Sequence, residues 1–229
     1  MDVKVLEKKE DSVKMLFKGT DISFVNGLRR TMMAGMPVLA VEDVHFHQNT
    51  SVMFDEMLAH RLGMVPLKMD SKKYKEGDKV KLVLEKEGPA TVYSKDIKST
   101  DPKIEPARLN IPITKLVEGQ TLRVEMDAIV GKGSEHVKWQ PAIVSYMEMP
   151  TIISDKGKAY KTDVLDMLLD ENKRDLILEE GQKVEYDPTT FIFSIESHGN
   201  LSPKELLAET VHELKEKIKE FKQELKDLS

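Results

Sequence analysis

The sequence predicts an α+β fold, and three observations support this prediction. Apolar and polar residues alternate in short segments near both ends of the chain and between residues 72 and 130, which is typical of strands with one buried face. Around residues 30 and 57 and again after residue 202, apolar residues recur at a spacing that indicates amphipathic helices. The sequence has no repeating unit, which argues against a solenoid.

Composition limits the possible functions. The 229 residues fit one large domain or two small ones, and the formal net charge of -5 provides no overall basic field for nucleic acid. The sequence contains no cysteine, which excludes disulfides, thiolate nucleophiles, iron–sulfur clusters and cysteine zinc sites. We therefore expect no cofactor. We also expect a cytoplasmic chain, because the sequence shows no signal peptide and no long apolar run.

The chain begins with two predicted strands and a helix. Residues 1–18 alternate around a charged turn, with the apolar positions Val3, Val5, Val13, Met15 and Phe17. A methionine-rich helix follows, with Thr20 or Asp21 as its N-cap and Gly35 at its C-terminal end. Pro37 prevents continuation of this helix, and a strand begins at Val38.

A second helix and a sheet are predicted next. Ser51 is the expected N-cap of a helix that ends at Gly63 and carries apolar residues on one face, Met53, Met57 and Leu58. Residues 72–130 are expected to form mainly sheet. Within this range we predict two strands joined by a turn at Gly88 and Pro89, and a later strand with an alternating apolar face, Leu122, Val124 and Met126.

The following segment combines a loop, a polar region and a strand. Residues 131–141 are expected to form a glycine-rich loop that Trp139 pins by packing. The tail of this loop, at His136, Lys138 and Trp139, combines an aromatic ring with a cation. Residues 150–190 are expected to hold a short helix and polar connections. The next strand carries Phe191, Phe193 and Ile195 on one face.

The C-terminal helix shows the strongest pattern in the sequence. Ser202 and Glu205 match a capping box, and Pro203 occupies the first helical position. Apolar residues then follow at alternating steps of four and three residues, at Leu207, Val211, Leu214, Ile218, Phe221, Leu225 and Leu228. We call these seven residues the apolar stripe. A narrow stripe on a charged helix either packs on its own domain or is covered by another subunit.

Arg29 and Arg30 raise a question of role, since they are adjacent on a helix rich in methionine. Adjacent helical side chains point about 100° apart, so the two cannot share one target directly. One arginine can brace the domain while the other reaches outward to carboxylates of a protein partner. Alternatively, one is solvated and the other forms an internal salt bridge.

Two further chemistries are possible alternatives. His45, His47 and His60 could together hold a metal ion for a small hydrolase, although no HExxH motif is present. Lys72, Lys73 and Lys75 form a local basic cluster that could bind nucleic acid on its own. The sequence contains no GxSxG motif and no complete phosphate loop.

Five stretches together resemble the D-subunit family of archaeal RNA polymerases, the counterpart of the bacterial alpha N-terminal domain and of the third-largest eukaryotic subunit. They are "NGLRRTMMAGMPVLAVEDV", "FDEMLAHRLGMVPL", "LEKEGPATVYSKDI", "GKGSEHVKWQPA" and "FIFSIESHGNLSPKELLAETVHELKEKI". The resemblance extends from about Val3 to Leu225 in the family's order. It rests on the ordered combination of these stretches, since no single one is decisive.

The resemblance implies a discontinuous dimerisation domain of antiparallel strands and two helices, formed by residues 1–40 and 190–229. It implies a mainly β inserted domain at 41–149. Residues 150–189 would be a reduced counterpart of the ferredoxin-like insertion, which binds an iron–sulfur cluster in many relatives. Because this chain lacks cysteine, neither that cluster nor the zinc loop of the eukaryotic relative is expected here.

The resemblance also implies the function and the partners. The chain would be a non-catalytic assembly platform of the polymerase, without membrane contact, reaching DNA and RNA only through the assembled enzyme. The polymerase's small L subunit would bind the stripe residues Leu207, Val211, Leu214, Ile218, Phe221 and Leu225. The large subunits would bind Asn26, Arg29, Arg30, His136, Lys138 and Trp139, with the loop meeting the second-largest one. The small N and P subunits would be further partners.

Overall fold

The computed structural model describes residues 1–70, 73–75, 77–154, 159–160 and 182–228. The chain divides into two compact units, Met1–Arg29 with Val144–Glu196, and Arg30–Ile143 with Ser197–Ser229. Antiparallel sheets and a few helices make up the described part, so the predicted α+β class is confirmed. The division into domains at 1–40 plus 190–229, 41–149 and 150–189 stays a prediction.

The described elements are numbered in chain order. The strands are β1 (Asp2–Lys8), β2 (Ser12–Lys18), β3 (Pro37–Asn49), β4 (Lys79–Glu87), β5 (Ala90–Tyr93), β6 (Ile97–Ser99), β7 (Pro112–Leu116), β8 (Thr121–Lys132), β9 (Ala142–Ser154), β10 (Ala159–Tyr160) and β11 (Gln182–Ser197). The α-helices are α1 (Ile22–Arg30), α2 (Asp55–Gly63) and α3 (Pro203–Asp227). A π-helical turn spans Thr31–Gly35, and short 3₁₀ turns span Ser94–Asp96 and Val137–Trp139.

The first unit contains a five-stranded sheet in the order β1-β2-β11-β9-β10. Both strand predictions for its adjacent strands β2 and β11 are confirmed, because their alternating apolar residues are buried, at Val13, Met15, Phe17, Phe191, Phe193 and Ile195. Strands β2 and β11 are antiparallel, and the rings of Phe17 and Phe193 meet edge to face with centroids 5.5 Å apart. This aromatic pair anchors the core of the unit. Strand β1 lies at the sheet edge, where Val3 and Val5 stay exposed.

Helix α1 starts as the sequence predicts and ends differently. The Asp21 carboxylate accepts a hydrogen bond from the Phe24 N–H at 2.9 Å, so Asp21 is the N-cap. The regular helix stops at Arg30, and the π-helical turn completes the path to Gly35. Pro37 then opens β3, as expected from a residue that cannot continue a helix.

The second unit is built on a four-stranded antiparallel sheet in the order β3-β8-β4-β6. The predicted apolar face of β8 is confirmed, since Leu122, Val124 and Met126 are fully buried. The first half of β3 is buried on both faces, from Val38 to Val41. A bulge between Val41 and Asp43 follows, after which the strand becomes largely exposed.

The two strands predicted on either side of Gly88 and Pro89 are confirmed, but they do not pair with each other. Strand β4 pairs with β8 and β6, whereas β5 pairs with β7 in a separate two-stranded sheet. The reason is the path at Gly88, whose N–H donates to the Gln120 carbonyl at 2.8 Å. A Cβ at position 88 would overlap the Val117 carbonyl oxygen, so only glycine permits this approach. The contact directs β5 away from β4.

The start of α2 also differs from the prediction. The helix begins at Asp55 rather than after Ser51, whose hydroxyl instead donates to the Asn49 side chain at 2.7 Å. Leu58 is buried as expected, whereas Met57 is exposed. The helix does end at Gly63.

Residues 142–190 differ from the sequence-based expectation in another respect. Strand β9 is not predicted, although Ala142 and Val144 alternate with Ile143 in the pattern of a half-buried strand. The short helix expected within 150–190 falls on residues 161–173, which lie outside the described part of the chain.

Candidate interaction surfaces

Helix α3 begins with the predicted capping box. The Glu205 carboxylate accepts the Ser202 N–H at 2.8 Å, and the Ser202 hydroxyl accepts the Glu205 N–H at 3.4 Å. Pro203 occupies the first turn, where the backbone needs no donor. These interactions fix where the helix starts and hence which residues share its faces.

The first two turns of α3 pack on the helix's own unit. Leu206 and Thr210 are fully buried. The Thr210 hydroxyl donates to the Leu206 carbonyl at 2.6 Å and lies 3.3 Å from the Met36 sulfur. Further along, the Lys217 ammonium lies beside Gly35, where an added Cβ would be 3.2 Å from Nζ. One side of α3 is therefore held by the chain itself.

The apolar stripe lies on a different side and is largely open to solvent. Leu207 and Leu214 are half-buried, and the exposure of the later members is 42% for Val211, 54% for Ile218, 61% for Phe221 and 49% for Leu225. Leu228, beyond the last helical residue, is also exposed. Isolated apolar residues on a surface are common, but a contiguous apolar row marks an interaction site. Packing on the helix's own unit and an open apolar face thus occur on different sides of one helix.

The two adjacent arginines have different environments. The Arg29 guanidinium donates to the Asn26 side-chain oxygen at 3.0 and 3.2 Å, one turn earlier on α1. This fixes Asn26 and Arg29 against each other on a half-buried face. Arg30 is exposed, and no described residue forms an ion pair with it. Of the pair, Arg30 is the side chain available to reach outward.

The loop at 131–141 is pinned by Trp139, which is buried. The indole N–H donates to the Ile129 carbonyl at 3.0 Å, and the ring occupies the space over Gly131, where a Cβ would lie 2.5 Å from it. The Lys138 ammonium lies 4.5 Å from the ring centroid, donates to the Val41 carbonyl at 3.0 Å and pairs with Glu42.

Within the same loop, His136 and Val137 face solvent. The His136 Nδ1 accepts the Lys138 N–H at 3.1 Å, which orients the ring at the start of the 3₁₀ turn. The partner contacts expected for His136, Lys138 and Trp139 stay a prediction. Among these three, the structure leaves the His136 ring open and uses Lys138 and Trp139 to hold the loop.

The lysine cluster considered for nucleic acid is organised around a carboxylate. Lys73 and Tyr74 both bond to the same oxygen of Asp101, and the Lys103 N–H donates to the other oxygen at 2.9 Å. The hydrogen bond from Lys73 and then that from Tyr74 hold the pKa of Asp101 well below its usual range. Burial, and then the bond to Asp101, raises the pKa of Tyr74. Lys72 lies outside the described residues.

The three histidines considered for a metal site are placed as follows. His45 and His47 face acids on β8, with His45 Nε2 4.0 Å from Asp127 and His47 Nε2 3.2 Å from Glu125. His60 lies on α2. Within the described ranges, no group of three or more His, Asp or Glu side chains has the arrangement of a metal site.

A cleft of about 310 Å³ in the second unit is lined by Arg108, His198 and Asn200 among others. Ser197 also lines it, but its hydroxyl donates to the Leu201 carbonyl and accepts the Gly199 N–H. These bonds shape the turn before α3. Ser197 is therefore not arranged as a nucleophile with a neighbouring base.

One exposed apolar surface is not predicted from the sequence. Val52, Phe54 and Met57 are 85%, 77% and 57% exposed around the start of α2. The signal that could have revealed it is the acidic pair Asp55 and Glu56, since acids favour the first turn of a helix. A helix start at Asp55 leaves Val52 and Phe54 ahead of the helix.

In the part of the chain that the structure describes, no helix is long and apolar enough to cross a membrane.

Comparison with known proteins gives consistent matches along the chain. Residues 44–145 match the family described as the RNA polymerase Rpb3/RpoA insert domain. The chain is 36% identical to the DNA-directed RNA polymerase subunit Rpo3 of Pyrococcus furiosus, covering 100% of this chain and 98% of the relative. It is 34% identical to the subunit of the same name from Thermococcus kodakarensis, covering 100% and 99%. The Methanobrevibacter smithii subunit is 34% identical, with 96% and 97% covered.

Proposed function

The chain belongs to the Rpo3 family of archaeal DNA-directed RNA polymerase subunits, and on that premise we propose that it is a platform on which other polymerase subunits assemble. The polymerase is a nucleotidyltransferase, and this subunit supplies binding surfaces rather than catalytic groups. It reaches DNA and RNA only through the assembled enzyme. A cytoplasmic location fits a sequence without cysteine.

The observation that carries the proposal is the open apolar stripe of α3. The helix is anchored at its N-terminal end by Leu206 and Thr210, while four stripe residues after Leu206 keep about half of their surface exposed. Such a row is stabilised when a second polypeptide removes it from water. Obligate subunit interfaces of this kind typically bury on the order of 2,000 Å² or more. We assign the polymerase's L subunit as the polypeptide that covers the stripe.

A second surface is assigned to the large subunits. Arg30 projects from α1 without an ion-pair partner among the described residues, and its planar guanidinium can bind carboxylates or carbonyls of a neighbour. Asn26 and Arg29 hold the helix surface around it through their mutual hydrogen bonds. His136 extends the candidate set on the second unit. The small N and P subunits complete the expected assembly.

The experiment is co-expression with the L subunit followed by affinity capture of this chain. Phe221→Asp places a carboxylate within the stripe and is expected to abolish capture of L. Gln223→Asp introduces the same group on the opposite face of the same helix and is expected to retain it. Normal capture by the Phe221→Asp variant would contradict the assignment of the stripe.

A further inference from the structure

Helix α3 carries a basic column beside the apolar stripe. Its members follow the same alternating spacing as the stripe, at His212, Lys215, Lys219, Lys222 and Lys226. Lys215 lies one turn after Val211, and Lys222 one turn after Ile218, so these two lysines directly border the stripe. The opposite border is the side on which Leu206 and Thr210 are buried against the helix's own unit. A partner that covers the stripe therefore lies beside Lys215 and Lys222.

Lys215 and Lys222 are exposed, and no described residue forms an ion pair with either. Their neighbour Lys219 differs, because it pairs with Glu216. Five acids of α3 form a separate column on the far side of the helix, at Glu209, Glu213, Glu216, Glu220 and Asp227, whereas Glu224 lies beside the end of the stripe on the border opposite Lys215 and Lys222. The open border of the stripe thus presents positive charge without its own counter-charge.

We infer that the surface covering the stripe carries carboxylates opposite Lys215 and Lys222, and that these charges disfavour an antiparallel pairing of α3 with a second copy of this chain. This inference rests on the proposed pairing through the stripe. In a two-fold pairing that lays the α3 helices of two copies antiparallel across the stripe, the lysine border of one copy would face the lysine border of the other. Like charges facing each other across an interface oppose binding, whereas opposite charges favour it and speed association.

The test measures the affinity of the full-length chain for the purified L subunit by titration calorimetry at low and at physiological salt. The Lys215→Glu/Lys222→Glu variant reverses the border charges. We expect it to bind L about tenfold more weakly or worse at low salt, with a reduced or inverted dependence on salt. The matched control, Lys219→Glu/Lys226→Glu, makes the same change in net charge further around the helix from the stripe. It is expected to bind within about threefold of the unmodified chain, because exposed charges away from an interface contribute little.

The outcomes separate this inference from the proposed function. If the unmodified chain binds L and the border variant binds equally well, the acidic-partner inference is wrong while the platform function stands. If the border variant and the control variant lose the same amount of affinity for L, the loss is due to net charge. That result would also overturn the acidic-partner inference. If the unmodified chain does not bind L at all, the proposed pairing itself fails. Circular dichroism of each variant confirms that α3 remains helical.

Discussion

Truncation of Phe221 to alanine separates binding from folding. Phe221 is 61% exposed in the isolated chain, so its ring contributes little to folding and most of its surface remains available to a partner. Full burial of such a side chain stabilises by about 1.5–3 kcal/mol, so covering the exposed part corresponds to about 1–2 kcal/mol. Phe221→Ala should therefore weaken binding of the L subunit by roughly 5- to 30-fold.

The same substitution should change the free energy of unfolding by less than about 0.5 kcal/mol, as for other surface positions. Calorimetric titration with L measures the change in binding affinity, and urea unfolding of the chain alone measures the change in the free energy of unfolding. A loss of stability above about 2 kcal/mol with unchanged binding would show that the ring is packed within the chain. That result would refute the assignment of the stripe as an intermolecular surface.

Three other predictions follow from particular contacts. Leu206→Ala should lower the free energy of unfolding by about 2–5 kcal/mol in urea melts, because Leu206 is fully buried where α3 packs on its own unit. Arg30→Ala should leave capture of the L subunit unchanged and reduce capture of the large subunits in a pull-down. If the variant captures the large subunits as well as the unmodified chain does, the role assigned to Arg30 is contradicted. Asp101→Asn should lower the melting temperature near neutral pH, since the charged carboxylate accepts bonds from Lys73 and Tyr74. Because the folded-state pKa of Asp101 is lowered, the stabilisation by its carboxylate is present above about pH 4 and is lost as pH falls further. The difference in melting temperature between the unmodified chain and the Asp101→Asn variant should therefore become smaller below about pH 4.

The features predicted correctly are those that depend on neighbours in sequence. The capping box of Ser202 and Glu205 and the spacing of the apolar stripe are both local, and the structure places α3 where they indicate. Period-two alternation likewise located the buried faces of β2, β8 and β11. In each case the spacing of the apolar residues identifies the apolar face of the strand or helix.

The features predicted wrongly or left open depend on contacts that are distant in sequence or on side-chain placement. The sequence leaves open which strands β4 and β5 pair with. The pairing of β4 with β8 depends on the approach of Gly88 to residues 117–120, which no local pattern reveals. The roles of Arg29 and Arg30 are open in the sequence and become distinct because Arg29 bonds to Asn26. For Trp139 the sequence favours packing within its loop, and the structure shows the contact, with the ring over Gly131. The structure is therefore needed to tell which side chains of a loop or helix hold the fold and which are open to a partner.

The most direct test of the platform function is size-exclusion chromatography with light scattering on the chain, alone and co-expressed with the L subunit. The open stripe predicts a one-to-one complex with L, which persists on dilution because an obligate interface is expected. A chain that remains a well-behaved monomer and elutes separately from L would contradict the claim that the stripe is a subunit interface.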